Sequence, residues 1–88
     1  MKSLAELITQ RLAVLRPLRF DLNDDSAEHV GHAESKQSGG GHFSLMIVSE
    51  TFRGQNRITR HQAVYALLSD LMPESIHALQ LRALTPEE

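Results

Sequence analysis

The segment from Asp24 to Gly41 constrains this chain more than any other, because hydrophobic periodicity stops there and resumes on both sides. Val30 is its only large aliphatic residue, and four of the chain's five glycines fall inside it. Patternless stretches beyond about 12–15 residues are uncommon in a small domain and tend to be functional or disordered. Too little chain precedes it to form a domain of its own, so it reads as a long loop within one domain spanning residues 1–88.

Before the loop, Ser3-Leu4-Ala5-Glu6 forms a capping-box pattern. The Ser hydroxyl and Glu carboxylate there satisfy exposed helix N–H groups. Leu4, Leu7, Ile8, Leu12 and Leu15 follow at helical spacing, and Pro17 stops the helix near Leu15 or Arg16. Leu18, Phe20 and Leu22 then alternate with polar residues, predicting a half-buried strand. After the loop, Phe43 to Ser49 is apolar enough for a strand with both faces partly covered. A turn around Gly54 leads to Thr59-Arg60-His61-Gln62, a second capping-box pattern predicting a helix with Val64, Leu67, Leu68 and Leu71 on one face. Pro73 closes that helix, and Ile76 to Leu84 predicts a last strand with Leu79, Leu81 and Ala83 inward. The first two strands should pair antiparallel, and a right-handed crossover should lay the third parallel to the second. The expected fold is therefore α+β: two layers, a three-stranded mixed sheet, and both helices on one face.

Composition excludes several chemistries. Without cysteine there is no disulfide, thiolate nucleophile or site built wholly from the chain's own thiolates. A net charge of −2 supplies no global field for nucleic acid, although protonating all five histidines would carry it to +3. No GxSxG elbow, P-loop, HExxH or paired-carboxylate constellation occurs, so no enzymatic activity is expected. No run approaches the ~20 apolar residues of a membrane span. Glu6, Gln10 and Arg11 interrupt the N-terminal apolar positions, so a soluble, cytoplasmic chain is expected.

The histidines and one arginine group are the candidates for function. His29 and His32 stand three residues apart in the glycine-flanked loop, read either as solvated side chains or as metal ligands. His42 reads as a hydrogen-bonded strand-edge residue, and His61 as a structural residue in the first turn of the second helix. His77 shares parity with Leu79 and Leu81, which points it to the helix-covered side at the strand's mouth. A polar ring there needs a partner, either a buried hydrogen bond or a ligand. Arg53, Arg57 and Arg60 surround the Gly54 turn with no acid between Glu50 and Asp70, either solvated surface or a phosphate-binding patch.

Phe52-Arg53-Gly54, then five residues, then Arg60-His61-Gln62-Ala63-Val64-Tyr65, resembles the signature of the BolA-like family. Ile76-His77-Ala78-Leu79, the Gly31-His32-Ala33 loop, His42-Phe43 and the Thr85-Pro86-Glu87 end fit the same pattern in order and spacing. The resemblance implies a class II KH-like αββαβ fold and an accessory or regulatory role, with stress response among its associations. It further implies a heterodimer with a monothiol glutaredoxin, sharing a [2Fe–2S] cluster in iron–sulfur trafficking or iron signalling. Glutaredoxin and glutathione would supply thiolates, and this chain imidazoles from His77 and His32, with His29 the alternative loop ligand. Alone, the chain would carry no cofactor and be a monomer or weak homodimer. Phe52, Gly54, Arg60 and His61 would be signature or structural positions. The alternative implied by the family is a DNA-binding transcriptional regulator, with Arg53, Arg57 and Arg60 contacting phosphates. Gly40-Gly41 stands where many relatives have an acidic residue and Ser, which predicts a looser loop.

Overall fold

The computed structural model describes residues 3–24, 41–72 and 74–88. Its elements are α1 (Leu4–Leu12), β1 (Arg19–Asp24), β2 (His42–Val48), α2 (Arg57–Leu67) and β3 (Ala78–Leu84). The strand order is β1-β2-β3, with β1/β2 antiparallel and β2/β3 parallel, as the helix–strand order required. Ile8, Leu12 and Leu15 meet Val64, Leu68 and Leu71 above Phe43, Leu45 and Ile47, forming one core with Phe52, Ile76, Leu81 and Ala83. Both helices therefore cover the same sheet face. Among the described residues no helix is long and apolar enough to cross a membrane.

The first helix forms as its sequence dictates. Ser3 Oγ accepts the Glu6 N–H, and Glu6 accepts the Ser3 N–H in return. A 3₁₀ turn, Ala13–Leu15, tightens the end, and Arg16 takes a left-handed conformation at φ 53°. The right-handed helical region is disfavoured immediately before a proline, so the helix does not run on through Arg16. Leu18 lies outside β1 and is 59% exposed, while Phe20 and Leu22 pack against the core as their alternation required.

Three boundaries differ from the sequence expectation. The second helix begins at Arg57, with Asn56 rather than Thr59 as its cap: Asn56 Oδ1 accepts the Thr59 N–H at 2.8 Å. Asn is at least as effective a cap as Thr, so the earlier site wins and His61 falls in the second turn. That helix also ends by Leu67, with a 3₁₀ turn at Ser69–Leu71, before Pro73, which lies outside the described residues. The last strand starts at Ala78, not Ile76. Ile76 is fully buried and Leu79 also packs on the core; three residues apart, they break the alternation, and His77 is exposed instead of helix-covered.

Two contacts tie the ends of the layers together. Ser49 is fully buried, and its hydroxyl donates to the Leu15 carbonyl at 2.5 Å while accepting the Thr51 N–H at 3.0 Å. Its own N–H donates to the Leu84 carbonyl at 2.9 Å. At the chain's last residues, Arg60 donates to Glu88 at 2.6 Å and to the Ala83 carbonyl at 3.0 Å, while Arg53 pairs with Glu87 at 2.7 Å. With the Leu84 carbonyl and the Ala78 N–H both turned towards β2, Leu79, Leu81 and Ala83 present their peptide groups to the outer edge of β3.

Two outcomes follow. Ser49→Ala leaves the Thr51 N–H without its acceptor and Leu15 with one donor fewer, which costs about 1–3 kcal/mol; a urea melt should show a lower midpoint with an unchanged slope. Glu88 is held down to about 2 by the Arg60 hydrogen bond, assisted by the Thr85 N–H, from an ordinary value of 4.5. A depressed carboxyl contributes stability above its unfolded value and loses it as pH falls towards its folded one. Glu88→Gln should therefore flatten the decline in thermal midpoint between pH 4.5 and 2 relative to the parent chain.

Candidate functional site

The turn after α2 aims His77 outward. The Leu71 carbonyl accepts the N–H groups of Ser75 and Ile76, at 2.9 and 2.8 Å, and Ile76 is driven into the core. The Gly41 carbonyl then accepts two more N–H groups, from His77 at 2.8 Å and Ala78 at 3.1 Å. Gly41 is buried with φ 90°, a conformation natural only to glycine. A Cβ there would stand 2.5 Å from the Ser75 carbonyl oxygen and 2.9 Å from His77 Cδ2. Whereas a looser loop was expected here, Gly41 itself is closely held; Gly40 lies outside the described residues.

His42 follows Gly41 and is paired in register with Ala78. Its ring lies 6.2 Å from that of His77, the two planes only 8° from parallel. Sequence spacing places these histidines 35 residues apart and gave His42 a strand-edge role; only the parallel register reveals them as neighbours. His29 and His32 lie outside the described residues. Among the described residues no three His, Asp or Glu side chains assemble, so a metal centre at His77 needs further donors.

The signature positions occupy another part of the molecule. Phe52 is fully buried and anchors the 3₁₀ turn Glu50–Phe52 in the core. Gly54 has φ 77° with open space where a Cβ would stand, so backbone sign rather than crowding calls for glycine. His61 packs edge-on against Tyr65, ring centres 6.2 Å apart. It helps line a groove of about 560 Å³ with Arg57, Arg60 and Arg82, beside β3.

The three arginines do not act as one bare cationic patch. Arg53 is matched by Glu87 and Glu50, and Arg60 by Glu88 and the carbonyls of Gln55 and Ala83. Hydrogen bonding to Arg53 lowers the Glu87 carboxyl, as Arg60 lowers that of Glu88. Of the three, only Arg57 lacks a carboxylate partner among the described residues. Glu87 and Glu88 arrive from the far end of the sequence, 34 and 28 residues away, and no local spacing could have announced them.

Comparison with known proteins bears on this arrangement. Residues 9–88 match the model of the BolA-like protein family. SufE-like protein 1, chloroplastic/mitochondrial, of Arabidopsis thaliana is 40% identical over 78 residues, covering 84% of this chain; the chain spans only 21% of that protein. The DNA-binding transcriptional regulator BolA of Haemophilus influenzae is 35% identical over 86 residues, with 98% of this chain and 81% of that protein covered. The structure of BolA1 from Arabidopsis thaliana superposes with a TM-score of 0.83 at 30% identity, covering 100% of this chain and 98% of the other. On the family match across residues 9–88 and the agreement in sequence and fold, the chain belongs to the BolA-like protein family.

Proposed function

We propose that this chain is an accessory partner of a monothiol glutaredoxin, completing with it a shared [2Fe–2S] cluster in iron–sulfur trafficking or iron signalling. The observation that supports this most is His77: an exposed imidazole on backbone fixed by the Gly41 carbonyl, in a chain without cysteine. Such a surface offers nitrogen donors and must obtain sulfur donors elsewhere, from glutaredoxin and its glutathione. Imidazole in place of thiolate raises the reduction potential of a bound [2Fe–2S] centre. His77 is the first donor in this reading, and the loop supplies the second through His32, with His29 as the alternative. The match to SufE-like protein 1 is in keeping with it.

Mixing the chain with a glutathione-loaded, cluster-bearing monothiol glutaredoxin should give a heterodimer on size exclusion and a changed visible spectrum. His77→Ala should remove most of that spectral change while leaving the far-ultraviolet spectrum of the chain intact. Absence of a heterodimer, or identical visible spectra with and without His77, overturns the reading.

A second reading uses the groove beside β3, and the relative named as a DNA-binding transcriptional regulator favours it. Arg57 and Arg82 would meet phosphates there, since Arg53 and Arg60 are occupied by carboxylates. Each phosphate neutralised on duplex DNA contributes about −0.9 to the slope of log affinity against log salt. Two cations without a carboxylate partner among the described residues predict a slope of about −2, reduced by about one in Arg57→Ala. Fluorescence anisotropy with a labelled duplex measures this, and no binding at low salt ends the reading.

A further inference from the structure

Arg60 is held in the manner of a carboxylate receptor. Its Nε donates to the Gln55 carbonyl at 2.9 Å and its Nη1 to the Ala83 carbonyl at 3.0 Å, so two backbone oxygens fix the guanidinium between α2 and β3. Its other donor directions meet Glu88, Nη1 at 2.6 Å and Nη2 at 3.3 Å, and the Thr85 N–H donates to the same carboxylate at 2.9 Å. The two carbonyls keep the guanidinium in place when that carboxylate leaves. The Glu88 side chain is 45% exposed, and ion pairs open to water contribute only about 0–1 kcal/mol, so Glu88 is exchangeable. The receptor opens on the groove of about 560 Å³ beside β3, where Arg57 and Arg82 have no carboxylate partner among the described residues. The groove wall also holds acceptors. Gln55 Oε1 is buried there with no donor among the described residues, and the Leu81 carbonyl points to the outer edge of the sheet. A phosphate backbone brings acceptors alone, whereas an extended peptide brings N–H groups together with its carboxylates.

We propose that this groove docks an acidic, extended segment of a partner protein, which adds to the outer edge of β3 and lends Arg60 a carboxylate in place of Glu88. Backbone bonds to the peptide groups of Leu79 and Leu81 and to the Ala83 N–H hold the segment, and Arg57 takes a second acid. Residues two apart on an extended chain share one face, so the segment that fits carries acids at alternate positions. It halts at Arg60, whose bond to the Ala83 carbonyl closes the edge. Glu88 is then a built-in competitor, filling the receptor until a carboxylate with more backbone support arrives. The site is independent of the glutaredoxin reading and contests the groove with the nucleic-acid one.

The test uses the full chain and a fluorescein-labelled hexapeptide of alternating Val and Glu with both ends blocked, followed by fluorescence anisotropy. Binding should saturate, and the same peptide with Gln for Glu should bind about tenfold more weakly, the loss of a charge-assisted bond. Glu88→Gln frees Arg60 and should tighten the acidic peptide about threefold, while Arg57→Gln should weaken it about threefold. Both substitutions fall on exposed side chains, so the fold survives them. Backbone ¹H–¹⁵N spectra should show the Leu79, Leu81 and Ala83 signals moving more than those of Gln80 and Arg82, whose N–H groups face β2. No saturable binding by the Glu88→Gln chain overturns the proposal, as does equal affinity for the Gln peptide or an affinity that Glu88→Gln leaves unchanged. A labelled DNA duplex that binds more tightly than the peptide and moves the same amide signals assigns the groove to nucleic acid and overturns it too.

Discussion

A single carbonyl, that of Gly41, determines how the third strand enters the sheet. It accepts the N–H groups of both His77 and Ala78, and so sets the parallel register that runs from His42↔Ala78 to Val48↔Leu84. At the other end of β2, Ser49 joins the Leu84 carbonyl to the exit of the first helix through Leu15. The central strand is thus fastened at both ends, once by backbone alone and once by a buried hydroxyl. A typical hydrogen bond nets only about 1 kcal/mol, so the weight of these contacts is geometric. They decide which side chains face the core and which are left at the rim, and His42 and His77 are at the rim because of them.

Much of this architecture is legible in the amino-acid order. The Ser3–Glu6 cap, the Phe20/Leu22 alternation and the Leu79/Leu81/Ala83 face each obey a local rule, and the topology follows from the element order. What escaped is nonlocal or competitive. Two cap patterns lie three residues apart, and Asn56 prevailed over Thr59. Alternation carried back from Leu79 through Ile76 assigns His77 to the wrong side, because the turn bonded to the Leu71 carbonyl shifts the phase by one residue. The proximity of His42 to His77 exists only once two strands are in register. The family resemblance reached His77 by pattern, and the fold supplies a physical reason for its exposure.

Electrostatics separates the two surfaces of interest. The imidazoles stand where β3 begins, and the arginine groove lies along its far half, near Ala83 and Leu84. Six residue steps along a strand span about 20 Å, so charge changes at one end reach the other only after screening over roughly two Debye lengths. Glu88, at the end of the sequence, already answers Arg60, one of the three guanidinium groups that line the groove, and Glu87 answers Arg53 outside it. The groove is less cationic than its composition suggests.

Arg60 has one further effect through its hold on the Ala83 carbonyl. The outward peptide groups of an edge strand are a template on which a second copy can extend the sheet, the first step towards fibrous assembly. A guanidinium planted on the last outward carbonyl shortens that template to Leu79, Leu81 and one N–H of Ala83. An incoming strand would have to strip a cation from both its carboxylate and its carbonyl before zipping past that point, so the side chain that latches the chain's last residues also acts as a stopper on runaway strand addition.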